Sequence, residues 1–222
     1  ITLVQAGGGN TSLKTHNVLT IKASGTRLKN ALDGDIFVKT NYFAARDGAC
    51  DPTFKPVAID SKGILRPSIE TGMHAIIPYQ VVVHIHCVDT VALSIDPDQQ
   101  PLLKEVLQDS NGVYIPYTKP GAELASSIAQ AIAENDAPAL YALENHGLVI
   151  AGETVTEVEA RLRHYLASVQ QSIRSPKGKP DYDRLKAVAL RTGFKLPESS
   201  SVHHIALDES MIAQASGGTL YP

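Results

Sequence analysis

The shortages in this sequence narrow the possibilities first. Only two cysteines, Cys50 and Cys87, occur in 222 residues, too few for the disulfide framework that staples small secreted domains. No positively charged segment followed by an apolar run opens the chain, and no apolar stretch approaches the roughly 20 residues a membrane-spanning helix requires. We therefore expect a cytoplasmic protein. Charge of one sign is short as well. The 20 Lys and Arg against 23 Asp and Glu leave a net charge of -3 and a pI near 6.2, with no basic field to draw the chain onto phosphate backbones or anionic lipid. Nucleic acid and membrane partners are not expected. The first residue is Ile1 rather than Met and the last are Leu220-Tyr221-Pro222, which reads as a piece of a longer polypeptide.

What is present suffices for a sizeable core: 43% of residues are apolar and 19% charged, and the length suits one large domain over 1–222 rather than two small ones. Its C-terminal extension, 174–222, opens with the breaker-rich link Arg174-Ser175-Pro176-Lys177-Gly178-Lys179-Pro180, followed by a short helix around Tyr182 to Leu190 and an irregular tail. Strand composition marks Val18 to Lys22, Ile36 to Lys39, Val81 to Val88, Tyr141 to Leu143 and Leu148 to Ile150, with a helical scrap at Leu28 to Leu32. Helices are predicted over Ile69 to Ile77, with Ser68 as cap and Glu70 in the first turn, between Asp96 and Ser110, along Leu124, Ile128 and Ile132, and along Val158, Leu162, Leu166, Val169 and Ile173. Strands and helices without clean βα alternation point to a three-layer α/β sandwich with a partly antiparallel sheet.

The chemistry concentrates on histidine. In a strand alternate side chains share a face, so His84 and His86 stand about 6.5 Å apart on one side while Ile85 and Cys87 face the other. That gap suits a metal ion such as zinc, which accepts neutral imidazole nitrogens at about 2.0 Å and in catalytic sites takes three protein ligands and leaves one position open. His146, in the turn Asn145-His146-Gly147 between two strands, is the candidate third ligand. Alone, a His-X-His pair serves equally well as hydrogen-bonded sheet histidines. His16, His74, His164, His203 and His204 show no such context and read as surface, helix or tail residues. Glu70, at a predicted helix start, is the candidate proton carrier, although an isolated Ser-X-Glu more often merely decorates a helix start.

Two loops offer donors to an anion. Gly7-Gly8-Gly9-Asn10-Thr11-Ser12 has the glycines a backbone nest needs, but Ser12 stands where a dinucleotide fingerprint requires glycine. Ser24-Gly25-Thr26 follows the Val18 to Lys22 strand, with Lys14, Lys22 or Arg27 to supply charge. Each alone is an ordinary surface loop.

Taken in order, Gly9-Asn10-Thr11-Ser12, Ser24-Gly25, Pro67-Ser68-Ile69-Glu70, His84-Ile85-His86 and His146-Gly147 resemble the class II aldolase/adducin family from about residue 6 to about residue 170. The resemblance implies the family's α/β/α sandwich with a mixed, largely antiparallel central sheet, and usually a homotetramer with active sites at subunit interfaces. It implies Zn2+, or another divalent metal, on His84, His86 and His146, with Glu70 moving the proton. It implies substrate phosphate on Gly9, Asn10, Ser24, Gly25 and Ser68. The implied reaction is cleavage of a ketose 1-phosphate to dihydroxyacetone phosphate and an aldehyde. Sugar-phosphate 4-epimerase, dehydratase or decarboxylase chemistry on the same site, and an adducin-like interaction module without catalysis, are the alternatives. The text looks most like the aldolase module that precedes a short-chain dehydrogenase in some proteins. It departs from the fuculose-phosphate aldolases at Ile69, where they carry a second serine, and in the stretch after the histidine pair, where their leaving-group tyrosine stands. Tyr114 and Tyr117 are the nearest substitutes.

Overall fold

The computed structural model describes residues 3–59, 65–172 and 180–196. Apart from Pro180, the link expected at 174–180 lies outside the described residues, as does the tail from 197 onward with His203 and His204. The chain divides into two compact units, Ile1–Ser172 and Ile173–Pro222.

In the first unit the elements run β1 (Asn10–Thr15), β2 (Val18–Lys22), a 3-10 turn (Leu28–Asn30), β3 (Phe37–Asn41), α1 (Tyr42–Asp47), α2 (Thr71–Ile76), β4 (Val81–Ile85), α3 (Val88–Ile95), α4 (Gln100–Asp109), β5 (Gly112–Ile115), α5 (Ala122–Glu134), β6 (Leu140–Leu143), β7 (Gly147–Gly152) and α6 (Val155–Ser172). The seven strands form one sheet in the order β3-β2-β1-β4-β7-β6-β5. Every pairing is antiparallel except that of β5 with β6.

Period-two alternation sorts the sheet residues into two cores. Val81, Ile85, Leu140, Ala142, Leu148 and Ile150 pack with Leu93 of α3, Leu103 and Leu107 of α4 and Val158, Tyr165 and Val169 of α6. From the opposite face Val82, Tyr141, Leu143, Val149 and Ala151 pack with Met73 of α2 and Leu124, Ile128 and Ala131 of α5. Central strands covered on both faces must be apolar throughout, and β6 and β7 are buried at every position. The three-layer α/β/α sandwich with a largely antiparallel sheet is thus present. His84 falls in the alternation with Val82, so β4 aims it at the α2 and α5 side.

Three local expectations need correction. The strand predicted to reach Val88 stops at Ile85, and Cys87, wholly buried in the first core, becomes the N-cap of α3. Asn10, Thr11 and Ser12, read as part of a loop, begin β1 and pair with His84, Val83 and Val82. The α2 helix starts at Thr71, so Glu70 is its N-cap residue rather than a member of the first turn. Ser68 still stabilises the entry, its Oγ accepting from Glu70 N at 3.2 Å and its carbonyl from Thr71 N at 3.1 Å. His74 is a helix residue of α2, as its grouping allowed, and is wholly buried.

In the second unit, α7 (Tyr182–Thr192) is the described helix. Asp181 caps it by accepting from Arg184 N at 3.0 Å, and Gly193 ends it with φ 75°.

Candidate metal centre and acid–base site

The histidines expected to act together do meet. His84 sits in β4, His86 just past its end, and His146 in the turn between β6 and β7, whose strands bring that turn back beside β4. Ring centroids are 5.0 Å apart for His84 and His86, 4.8 Å for His84 and His146, and 5.2 Å for His86 and His146. One nitrogen from each ring lies within 4.8 Å of the others.

Backbone packing fixes the triangle. Gly147 has φ 156°, and a Cβ there would collide with Ile85 O, so only glycine lets β7 begin this close to the His84-Ile85-His86 segment. Gly8 presses on the cluster from the other side, where an added Cβ would lie 2.6 Å from His86 Nδ1. Gly9, with φ 73°, carries the chain past His84 O into β1.

Burial keeps the imidazoles neutral. The proton affinity of His84 is pushed down to about 3, chiefly by burial and then by the charge of His86. His146 is pushed down to about 4, by burial first and then by His84. His86, half-buried, is also lowered by burial, against the opposing pull of Glu70. His84 Nδ1 lies 3.2 Å from Leu148 O, which places the ring proton on Nδ1 and leaves the Nε2 lone pair facing the cluster. Glu70 Oε1 lies 3.5 Å from both His84 Nε2 and His146 Nε2. With both rings neutral these are not ion pairs.

The second carboxylate oxygen is anchored. Asn10 Nδ2 donates to Glu70 Oε2 at 3.1 Å and to Ser68 Oγ at 2.6 Å. Among the described residues, Glu70 Oε1, His84 Nε2 and His146 Nδ1 are buried without a hydrogen-bond partner. Buried polar atoms go unpaired rarely and at a cost. Three neutral rings, two of them with such a nitrogen, and a carboxylate oxygen beside them form a group that could hold a divalent cation. The residues fit a divalent metal ion.

The anion-binding candidates divide. Ser24 and Ser68 line one cavity of about 540 Å³, together with Asp51 and Pro52 from the stretch 47–53, whereas Gly9, Asn10 and Gly25 are not among its lining residues. Asn10 is buried and committed to Ser68 and Glu70, so it orients the carboxylate. Ser24 and Gly25 form an exposed turn held by Ser24 N donating to Arg66 O at 2.8 Å. Two of the three cations considered for the anion loops are occupied elsewhere. Lys14, buried and pushed down to about 7, donates to Tyr79 O at 2.6 Å. Lys22, also lowered by burial, donates to Thr26 O at 2.9 Å and Gly7 O at 3.2 Å and so ties the two loops together. Tyr114 stands in edge strand β5, its hydroxyl 3.5 Å from Ser94 O, and Tyr117 is exposed.

Sequence reasoning missed His74. It lies one helical turn beyond Glu70, its Nδ1 is 2.8 Å from Ser12 Oγ, and burial holds its proton affinity far below the usual range. The four-residue spacing from Glu70 was the available signal.

Residues 2–171 match the Class II Aldolase and Adducin N-terminal domain. The chain belongs to the class II aldolase/adducin family. It is 34% identical over 170 residues to the uncharacterized oxidoreductase YuxG of Bacillus subtilis (strain 168), a match covering 69% of this chain. The chain spans only 24% of the length of that relative. Among solved structures, the N-terminal class II aldolase domain of a conserved Thermoplasma acidophilum protein is similar with a TM-score of 0.63 and 26% identity, over 77% of this chain and 86% of that one. A sugar-phosphate aldolase from Thermotoga maritima gives 0.57 and 18%, over 79% and 91%. The L-fuculose-1-phosphate aldolase of Thermus thermophilus gives 0.50 and 21%, over 88% and 90%. The last two share the fold. No described helix is long and apolar enough to cross a membrane.

Proposed function

We propose that the protein is a zinc-dependent lyase that cleaves a ketose 1-phosphate to dihydroxyacetone phosphate and an aldehyde. The observation that carries this reading is the convergence of three neutral imidazoles on one side of a partnerless carboxylate oxygen. His84, His86 and His146 would hold the cation, which supplies Lewis-acid stabilisation of negative charge developing on oxygen. Glu70, through the Oε1 that faces the histidines, delivers to the carbon beside the carbonyl, once the carbon–carbon bond has opened, the proton that the hydroxyl of the departing fragment gives up as it becomes the aldehyde. Asn10 holds the other oxygen still, which limits the carboxylate's freedom before substrate arrives. Gly9, Asn10, Ser24, Gly25 and Ser68 form the phosphate-binding side, with Asn10 contributing through Ser68 and Glu70.

The rest of the reading is supported by family membership and composition. We place the protein in the cytoplasm as a homotetramer with active sites at subunit interfaces, acting on a small sugar phosphate and not on nucleic acid or membrane. Residues 174–222 are taken as an extension of one aldolase-like domain. The oxidoreductase name of YuxG, of whose length this chain spans 24%, suits an aldolase-like module joined to a dehydrogenase domain in that relative.

A second reading is favoured by Ile69, which is 70% exposed where a hydroxyl donor was expected, and by the occupied Tyr114. A 4-epimerase, dehydratase or decarboxylase would use the same cluster and the same proton carrier. An adducin-like scaffold would have no use for four converging groups that bury partnerless polar atoms. In the deciding experiment the wild type and a His84→Ala variant are assayed for metal content and for turnover of a panel of ketose 1-phosphates and pentulose 5-phosphates. The cleavage reading expects near-stoichiometric zinc and dihydroxyacetone phosphate in the wild type, both lost in the variant. Undiminished turnover in a metal-free variant rejects it.

A further inference from the structure

The cavity beside Ser68 holds more charge than the anion loops. Lys55, Arg66 and Lys119 all line it with Ser24, Ser68 and Ile69, and the third of these cations comes from a segment far from the other two in sequence. Arg66 is fixed at its base: its carbonyl accepts from Ser24 N at 2.8 Å, and the adjoining Pro67 bridges to Ala23. Its guanidinium therefore starts beside one serine of the cavity and two residues before the other. Among the described residues, none of the three cations forms an ion pair.

Two carboxylates share the lining, Asp51 and Glu123. Asp51 Oδ1 is turned into its own loop, accepting from Thr53 N at 2.8 Å and Thr53 Oγ1 at 2.7 Å. Glu123 sits in the first turn of α5. Three cations face two carboxylates, and the oxygen Asp51 Oδ1 is engaged by Thr53, so the concavity keeps an excess of one positive charge. Ile69, at the same wall, contributes no donor.

We propose that Lys55, Arg66 and Lys119 are the specificity determinants of this cavity and select a phosphate monoester dianion, supplying the attraction that the missing hydroxyl at position 69 does not. The guanidinium of Arg66 presents a planar fork matched to two phosphate oxygens, while the two lysines act as point charges. Ser24 and Ser68 orient, and the cations supply the attraction. The proposal rests on the sugar-phosphate reading above, but its test does not require turnover.

The probe is inorganic phosphate, titrated calorimetrically into the purified full chain, both as isolated and after chelator treatment so that phosphate on a metal is separated from phosphate in the cavity. The expected result is saturable binding in both preparations. Binding should weaken about tenfold in Arg66→Ala, about threefold in Lys55→Ala and Lys119→Ala, and least in Arg66→Lys, with metal content and melting temperature unchanged. Raising ionic strength should weaken the wild type more than the triple alanine variant. Equal phosphate affinity in the wild type and the triple variant overturns the proposal, as does the absence of saturable binding in the chelated wild type. An inactive protein that still binds phosphate through Arg66 sinks the cleavage reading and leaves this one standing. An active protein whose KM for a phosphorylated substrate ignores Arg66→Ala does the reverse.

Discussion

The histidine cluster and the cavity meet at Ser68 yet are built on opposite plans. The cluster is set in sheet and turn backbone, closed in by glycines at 8 and 147 and by Asn10, and most of its polar atoms are withdrawn from water. The cavity is bordered by mostly exposed side chains from four separate segments, with prolines at 52, 56, 67 and 120 shaping its walls. The difference follows from what each must do. Bond-breaking chemistry tolerates little displacement of its groups, whereas attraction of an anion falls off gradually with distance. Substitutions in the first region should therefore act through geometry, and those in the second through charge.

The largest effect separates the two regions. Glu70→Gln keeps the shape of the side chain and its contact with Asn10 but removes its capacity to carry a proton. Turnover should fall by about 10²- to 10⁴-fold, while phosphate affinity in the cavity and bound metal stay near wild type. Steady-state kinetics with calorimetry and metal analysis read all three. Turnover within a few fold of wild type would remove Glu70 from the chemistry.

Next comes acid sensitivity, which belongs to the buried side alone. An unfolded histidine titrates near 6.5, whereas His84 and His146 in the fold are held at about 3 and about 4. Between pH 6.5 and about 4 the unfolded chain takes up protons that the folded one refuses, so stability falls as pH falls. Above pH 6.5 both states are neutral at these rings and no dependence arises from them. From pH 7 to pH 5 each ring should cost the chelated protein roughly 2 kcal/mol. Urea melts at the two pH values measure it. A flat response would mean that the rings are open to water.

A smaller effect isolates packing. Gly8→Ala puts a methyl group where His86 Nδ1 stands, so the ring must move. Metal affinity, measured by chelator competition, should drop by about 10- to 100-fold. Arg66→Ala should leave it untouched. A Gly8→Ala protein with wild-type metal affinity would show that the cluster is more pliable than its close packing implies.

The same contrast explains what the sequence disclosed. Strands β4, β6 and β7 announce themselves through β-branched and apolar runs, and the Asn-His-Gly turn between the last two placed His146 correctly. The run Val88 to Val91 has strand composition too, so α3 was hidden inside an apparent continuation of β4. β1 was masked by the glycines before it and by Asn10-Thr11-Ser12, where Asn10 and Ser12 offset the cost of their place in the sheet through side-chain bonds to Ser68, Glu70 and His74. β5, four residues long, is too short for periodicity to register. The cluster was legible because its spacing is local except at one point. The cavity was not, since the approach of residues 55, 66 and 119 is decided wholly by tertiary packing.

The smallest predicted effect tests whether the buried polar seam extends one layer behind the cluster. Ser12 lies two residues along β1 from Asn10, and His74 one turn along α2 from Glu70, so the Ser12–His74 contact repeats the link that Asn10 makes to the carboxylate. Ser12→Ala would strip His74 Nδ1 of its partner beside a Nε2 that already has none. The cost should be about 1–3 kcal/mol of stability, read as a lowered melting temperature. A positional role predicts more than that: kcat should fall several-fold with KM unchanged, and Ser12→Thr, which restores a hydroxyl, should recover both. If the melting temperature falls while kcat holds, the contact stabilises the fold alone, and the region that positions Glu70 ends at Asn10.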